Sequence, residues 1–165
     1  MKRILIIIAA AVCLSSCGIY SFSGTSIQPD VQTITINFIE YKAQRVNPSL
    51  SNDLTEALKE RFRKMTRLEQ VEMDGDMEIT GSIVGYDVAA SSVTANEIAA
   101  SNRLTVTVSL SFQDRKYPEE DFEKSFTQYA DYDSQNTLEA VESGLCEEIV
   151  KLLVDDIFNA TVANW

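Results

Sequence analysis

The sequence has no histidine and only three cysteines. The first absence removes Ser-His-Asp and Cys-His nucleophile pairs and every His-ligated zinc site. Three cysteines are too few for a disulfide scaffold or a four-cysteine metal site. Six glycines and three prolines exclude a collagen-like or low-complexity chain. No Gly-rich phosphate loop is present, and no serine stands in a GxSxG setting. Asp74-Gly75-Asp76 lacks the further oxygen ligands and closing Glu of a calcium loop, and reads as a turn. Glu119, Glu120, Asp121 and Glu123 read as a solvated charge run. Cations are the minority: 14 Lys and Arg stand against 25 Asp and Glu, for a formal charge of −11. A chain of that sign repels nucleic acid as a whole. Nothing here supports catalysis, a metal or a diffusible cofactor, and the chain is read as non-enzymatic.

What is present begins with an address. Residues 1–17 read MKRILIIIAAAVCLSSC. Lys2 and Arg3 form a positive start, and Ile4 to Leu14 form an apolar run too short to span a bilayer core. Leu14-Ser15-Ser16-Cys17 then matches a bacterial lipobox. Small residues precede a cysteine whose thiol receives a diacylglycerol. The expected organisation is a signal peptide at 1–16, a lipidated tether at 17–30, and a single α+β domain at 31–165. Several acyl chains on Cys17 bury enough methylene groups for stable anchoring. No later stretch approaches 18 apolar residues, so the protein is expected to be anchored to a membrane without spanning it. Cys13 leaves with the signal and Cys17 carries lipid. Cys146 is then alone in an apolar helical pattern and reads as a buried small hydrophobe.

Hydrophobic periodicity organises the rest. Val31 to Ile39 alternates, with Ile34, Ile36 and Phe38 on one face, which predicts a half-buried strand. Asn47-Pro48 predicts a helix start, with Asn as cap and Pro at the first helical position. Leu50, Leu54, Leu58, Phe62 and Met65 then make one apolar stripe. Leu68 to Met73 is transitional. Met77, Ile79, Gly81 and Ile83 share a face of the next strand, where Gly81 and Gly85 suggest close backbone approach or a bulge. Ala89 to Asn102 reads as a long loop or a frayed hairpin end. Leu104, Val106, Val108, Leu110 and Phe112 alternate with Thr and Ser in the clearest strand of the chain. Asp114 to Asp121 is a turn, and Phe122 to Tyr132 a fourth strand. Asn136 and Glu139 form a capping pair before a helix carrying Leu138, Val141, Leu145, Ile149, Leu152 and Leu153. The order β-α-β-β-β-α predicts a four-stranded sheet with both helices on one face. The other face reads mostly Thr and Ser. That suits a wet surface, and it also suits packing against a second polar wall.

The scarce cations cluster. Lys59, Arg61, Arg63, Lys64 and Arg67 crowd the exposed side and end of the first helix. Arg103 opens the best strand, and Arg115 and Lys116 close it. Such residues serve either as ordinary surface charge or as anchors for phosphate and carboxylate groups.

The lipobox Cys17, the GIYSFSG tether, the VQTITINFI strand, the following helix, the GSIVGY strand, the Asn102-Arg103-Leu104-Thr105-Val106 strand start and the closing helix together carry a likeness. They resemble the LPS-assembly lipoprotein family LptE, in the form found in Bacteroidetes-type bacteria, over essentially the whole mature chain. The resemblance implies a lipoprotein of the outer membrane facing the periplasm, with two helices on a four-stranded sheet. It implies a plug and assembly partner of the LptD β-barrel, active in passing lipopolysaccharide to the outer leaflet. It also implies basic residues that meet lipid A phosphates. Arg103, Arg115 and Lys116 are the candidates here, and the acidic balance of the chain departs from a strongly basic lipopolysaccharide surface. The alternative is a structural or adaptor lipoprotein of another outer-membrane complex.

Overall fold

The computed structural model describes residues 27–92 and 101–162. The signal segment, Cys17, most of the tether and residues 93–100 lie outside the described residues. The elements are β1 (Thr33–Ile36), β2 (Glu40–Tyr41), α1 (Leu50–Met65), β3 (Glu69–Gln70), β4 (Met77–Ser92), β5 (Ser101–Asp114), a 3-10 turn (Pro118–Glu120), β6 (Phe122–Asp133) and α2 (Leu138–Val162). The strand order is β3-β1-β4-β5-β6, with β2 beside β4. β1 runs parallel to both β3 and β4, and α1 supplies the crossover that parallel neighbours require. β4, β5 and β6 form an antiparallel meander.

The α+β architecture with two helices is as the periodicity predicts. The expected four strands are corrected to six. The two additions are two-residue pieces. One, β3, comes from the transitional segment after α1. The other, β2, exists because the first predicted strand does not run through to Ile39. It stops at Ile36 and resumes at Glu40, one edge of β4 serving both pieces. Phe38, expected inside, is therefore 59% exposed, while Ile39 is fully buried in its place.

One face of the sheet is covered. Leu104, Val106, Val108, Leu110 and Phe112 of β5 are at most 1% exposed, as are Met77, Ile79 and Ile83 of β4. Opposite them lie Leu50, Leu54, Leu58 and Phe62 of α1 and Ile149, Leu153 and Ile157 of α2, all buried. Phe62 meets Phe158 edge-on with ring centroids 5.1 Å apart, which joins the two helices. Both apolar stripes are narrower than expected: Met65 and Leu152 face solvent. α1 begins at Leu50, and the Asn47 side chain still caps it. Asn47 Oδ1 accepts the backbone N–H of Ser49 and of Leu50, each at 3.2 Å.

The Asp74-Gly75-Asp76 turn ties β1 to β4. Asp74 adopts φ 59°, a region that Asn and Asp tolerate better than most residues. Asp76 Oδ2 accepts the amides of Gln32 and Thr33, at 2.8 and 3.1 Å. Thr33 and Thr35 return hydroxyl acceptors to the amides of Asp76 and Gly75. Residues 89–92 and 101–102, expected as a long loop or a frayed hairpin end, extend the β4–β5 hairpin.

Candidate functional site

The face of the sheet away from the helices is open. Thr80, Ser109, Ser125 and Thr127 stand exposed on it, and Thr105, Thr107 and Ser111 are half-buried. Thr107 Oγ1 and Thr127 Oγ1 share a hydrogen bond of 3.0 Å across β5 and β6. This places the alternating hydroxyls of the best predicted strand on one continuous surface with those of its neighbours. A depression of about 620 Å³ lies in it, lined by Asn37, Phe38, Thr80, Ser82, Ser109 and Glu123 among others.

Besides the phenol of Tyr129, 48% exposed beside Arg103, two side chains without any polar group are exposed with the hydroxyls. Phe38 is one. The other is Val84, 45% exposed, at the register shift where Ile83 pairs with Val108 and Gly85 with Thr107. Gly85 allows a close approach here: a Cβ would lie 3.1 Å from Cβ of Thr107, which would have to shift by a few tenths of an ångström. The bulge that Gly85 suggested is thus present. Period counting missed Phe38 and Val84. The available signal was the apolar doublet: Phe38-Ile39 and Ile83-Val84 each place two apolar residues in succession inside an alternating strand.

The structure separates the three cations singled out in sequence. Arg103 and Arg115 flank β5 at opposite ends, roughly 40 Å apart at the usual rise per strand residue. Each is paired with acid. Arg103 makes a two-pronged bond to Asp131, at 2.7 and 2.8 Å, and its guanidinium lies 3.6 Å from the Tyr129 ring centroid. The Asp131 bond raises the Arg103 pKa further and lowers that of Asp131. Arg115 bridges Asp74 and Glu78, at 2.9 and 3.1 Å. Lys116 bonds the backbone carbonyl of Asp30 and pairs with Asp76 at 3.2 Å. Arg115 and Lys116 thus pin the turn at the base of the sheet. On α1, Lys59 pairs with Glu56, Arg63 and Lys64 with Glu60, and Arg61 with Asp155 of α2. Arg67 donates to the carbonyls of Ile27 and Gln28.

On the helical side, a groove of about 1070 Å³ runs between α1 and α2, with Cys146, Val150 and Val154 in its lining. Near its start Tyr86 donates to Glu142, and Asn47 Nδ2 donates to the same carboxylate oxygen at 3.2 Å. Burial, then the Glu142 carboxylate, pushes the Tyr86 phenol well above its ordinary pKa. Cys146 is 6% exposed, and burial raises its thiol pKa as well. The cluster joins the sheet to both helices with Cys146 as a protonated, packed side chain. Among the described residues no group of three or more Cys, Asp or Glu is placed to hold a metal ion, and no helix is long and apolar enough to cross a membrane.

A family model described as "LptE: Lipopolysaccharide-assembly" matches residues 31–161. No curated protein matches the chain. Among solved structures, a hypothetical protein from Chlamydia trachomatis superposes with a TM-score of 0.52 at 9% identity, covering 81% of this chain and 99% of that one. This likeness establishes a shared fold. A minor lipoprotein from Acinetobacter baumannii gives a TM-score of 0.49 at 17% identity, over 77% of this chain and 89% of that one. An uncharacterized lipoprotein B from Nitrosomonas europaea gives 0.48 at 17% identity, over 79% and 85%.

Proposed function

The chain belongs to the lipopolysaccharide-assembly family LptE, and on that premise we propose that it is a lipid-anchored, stoichiometric plug of an LptD-like outer-membrane β-barrel. Cys17, in the Leu14-Ser15-Ser16-Cys17 lipobox, carries the lipid and holds the domain at the outer membrane, facing the periplasm. The open hydroxyl face of the sheet is the observation that carries the docking part of this reading. The lumen wall of a large barrel is polar. A surface of Thr and Ser satisfies the hydrogen bonds of such a wall without burying charge, which would be costly. Lipopolysaccharide would pass alongside. Of the three candidate cations, Arg103 is the best placed to meet its phosphates. It stands on the open side of the sheet beside an exposed Tyr129, and a phosphate would replace Asp131 as its two-pronged partner. Arg115 and Lys116 serve first as structural pins.

The test is recovery of the barrel with the tagged full chain from mild-detergent extracts. Thr80→Glu with Thr127→Glu places two charges on exposed positions of β4 and β6. The melting midpoint of the domain is expected to hold, and barrel recovery to fall severalfold. Exchanging the Glu56–Lys59 ion pair on α1 by Glu56→Lys with Lys59→Glu is the matched control, and leaves recovery unchanged. Full recovery with the sheet-face variant removes this face as the docking surface. Absence of any large barrel protein from the wild-type eluate favours the adaptor role in another envelope complex.

A further inference from the structure

The chemistry of the open face is broken at two places, and both breaks are built into the backbone. Uninterrupted alternation from Ile34 and Ile36 would send Phe38 inward. Instead β1 ends, Ile39 fills the core at 0% exposure, and Phe38 is left 59% exposed. The interruption is held by hydrogen bonds on both sides of Phe38. Asn37 N–H donates to the Ile79 carbonyl at 2.9 Å, Ile39 N–H to Thr55 Oγ1 at 3.0 Å, and Lys42 N–H to the Ile83 carbonyl at 2.8 Å. The second break is the bulge of β4, whose extra residue is Val84. β2 pairs with Ser82 and Ile83, so the two breaks flank the same short ladder. Interruptions of this kind re-aim side chains, and here each turns an apolar group outward onto a field of hydroxyls.

We propose that Phe38 and Val84 are the anchors of the docking face, each seating in an apolar recess of the partner wall that is rimmed by basic or hydrogen-bond-donating groups. The inference rests on the barrel-docking reading above and names the residues that carry it. An apolar recess follows from the shape of the surface: Phe38 stands in the depression among Thr80, Ser82, Ser109 and Ser111, and Val84 stands exposed at the bulge beside Gly85. Such a pattern suits a polar wall with local pockets. A bilayer surface would demand a continuous apolar face. The basic rim follows from charge. Glu123 lies at the depression without an ion partner among the described residues; Glu40 and Lys42, also in its lining, pair with each other, and Glu78 nearby pairs with Arg115, so the unbalanced charge is that of Glu123. A second copy of this chain is disfavoured as occupant, since a two-fold contact would bring together the unpaired Glu123 of each copy on a chain of net charge −11. Aromatic side chains at the centre of a contact characteristically dominate its affinity.

The experiment uses the full lipidated chain, tagged, in outer-membrane extracts, with the melting midpoint of each variant measured alongside. Phe38→Ala is expected to weaken competition for the barrel by about tenfold or more, the loss seen for a truncated contact anchor. Val84→Ala is expected to act in the same direction and more weakly. Phe38→Leu, which keeps an apolar stud, retains most recovery. All three variants keep the wild-type midpoint, because neither side chain fills the core. If the Ala variants recover the barrel like wild type while the Thr80/Thr127 double variant does not, the anchor inference fails and the docking reading stands. If neither set matters, both fail. A lowered midpoint for Phe38→Ala would make the side chain a structural one and overturn the proposal. So would a Phe38-dependent self-association by light scattering, or Phe38-dependent binding to anionic phospholipid vesicles by the unlipidated domain.

Discussion

Thr55 Oγ1 accepts the amide hydrogen of Ile39 at 3.0 Å and donates its own hydrogen to the Ser51 carbonyl at 2.7 Å. One buried hydroxyl in α1 thus satisfies the amide left without a ladder partner between β1 and β2. The helix, through this contact, sets which of Phe38 and Ile39 faces the core.

Thr55→Val removes that acceptor while keeping shape. The buried Ile39 amide then loses its partner, at a cost of about 1–3 kcal/mol. Thr55→Ser restores the hydroxyl and most of the stability. Urea unfolding of the three proteins measures both effects, and equal midpoints would show that the amide finds another partner.

The two glycines Gly75 and Gly144 should respond oppositely to alanine. A Cβ at Gly75 would lie 2.6 Å from the Thr35 nitrogen, 2.8 Å from the Met77 oxygen and 2.9 Å from the Ile34 carbonyl carbon. All three are backbone atoms of the sheet and cannot move aside, so Gly75→Ala is expected to cost about 1–3 kcal/mol or more. At Gly144, within α2, a Cβ meets nothing within 4 Å. Gly144→Ala is expected to stabilise by about 0.5–1 kcal/mol through helix propensity and lost unfolded-state entropy. Thermal melts of both variants give the two signs.

Asp76 makes the fold acid-sensitive. The Gln32 amide hydrogen bond, followed by contributions from Lys116 and the Thr33 amide, holds its pKa below the ordinary 3.8, against a partial desolvation effect. A depressed folded pKa contributes stability that is fully present above the unfolded value and is lost as pH falls through the folded one. Stability is therefore expected to decline below about pH 4 by this route. Asp76→Asn should be less stable at pH 7 and lose less between pH 5 and pH 2. Parallel curves for the two proteins over that range would rule out Asp76 as a contributor.

Cys17→Ala is expected to leave an unprocessed precursor with no acyl label, because the thiol that receives lipid is gone. Metabolic labelling with a radioactive fatty acid, together with intact mass, reads this directly. A labelled variant would refute the lipoprotein assignment.

Several elements are legible in the sequence. The Leu104–Phe112 alternation and the Leu50–Phe62 stripe each repeat a local geometry, so a few neighbouring residues suffice to reveal them, whereas the helix begins at Leu50, two residues after the expected Pro48, with only the Asn47 side-chain contact kept. The Thr and Ser face was legible for the same reason, as was Cys17 as the lipid candidate from its flanking residues. Phe38 and Ile39 show where this stops. Both are apolar, and a period of two gives the core to Phe38; only the hydroxyl of Thr55, sixteen residues away on a helix that must first dock, hands it to Ile39. Arg103, Arg115 and Lys116 teach the same lesson about charge. In the chain they look like free cations at the two ends of a strand. Their acidic partners, Asp131, Asp74, Glu78 and Asp76, arrive from other strands and turns once the sheet forms. The sequence alone determined the local periods, because those depend on near neighbours. Which apolar residue is turned outward, and which charge is already neutralised, depended on contacts between distant segments, and so was decided only by the tertiary structure.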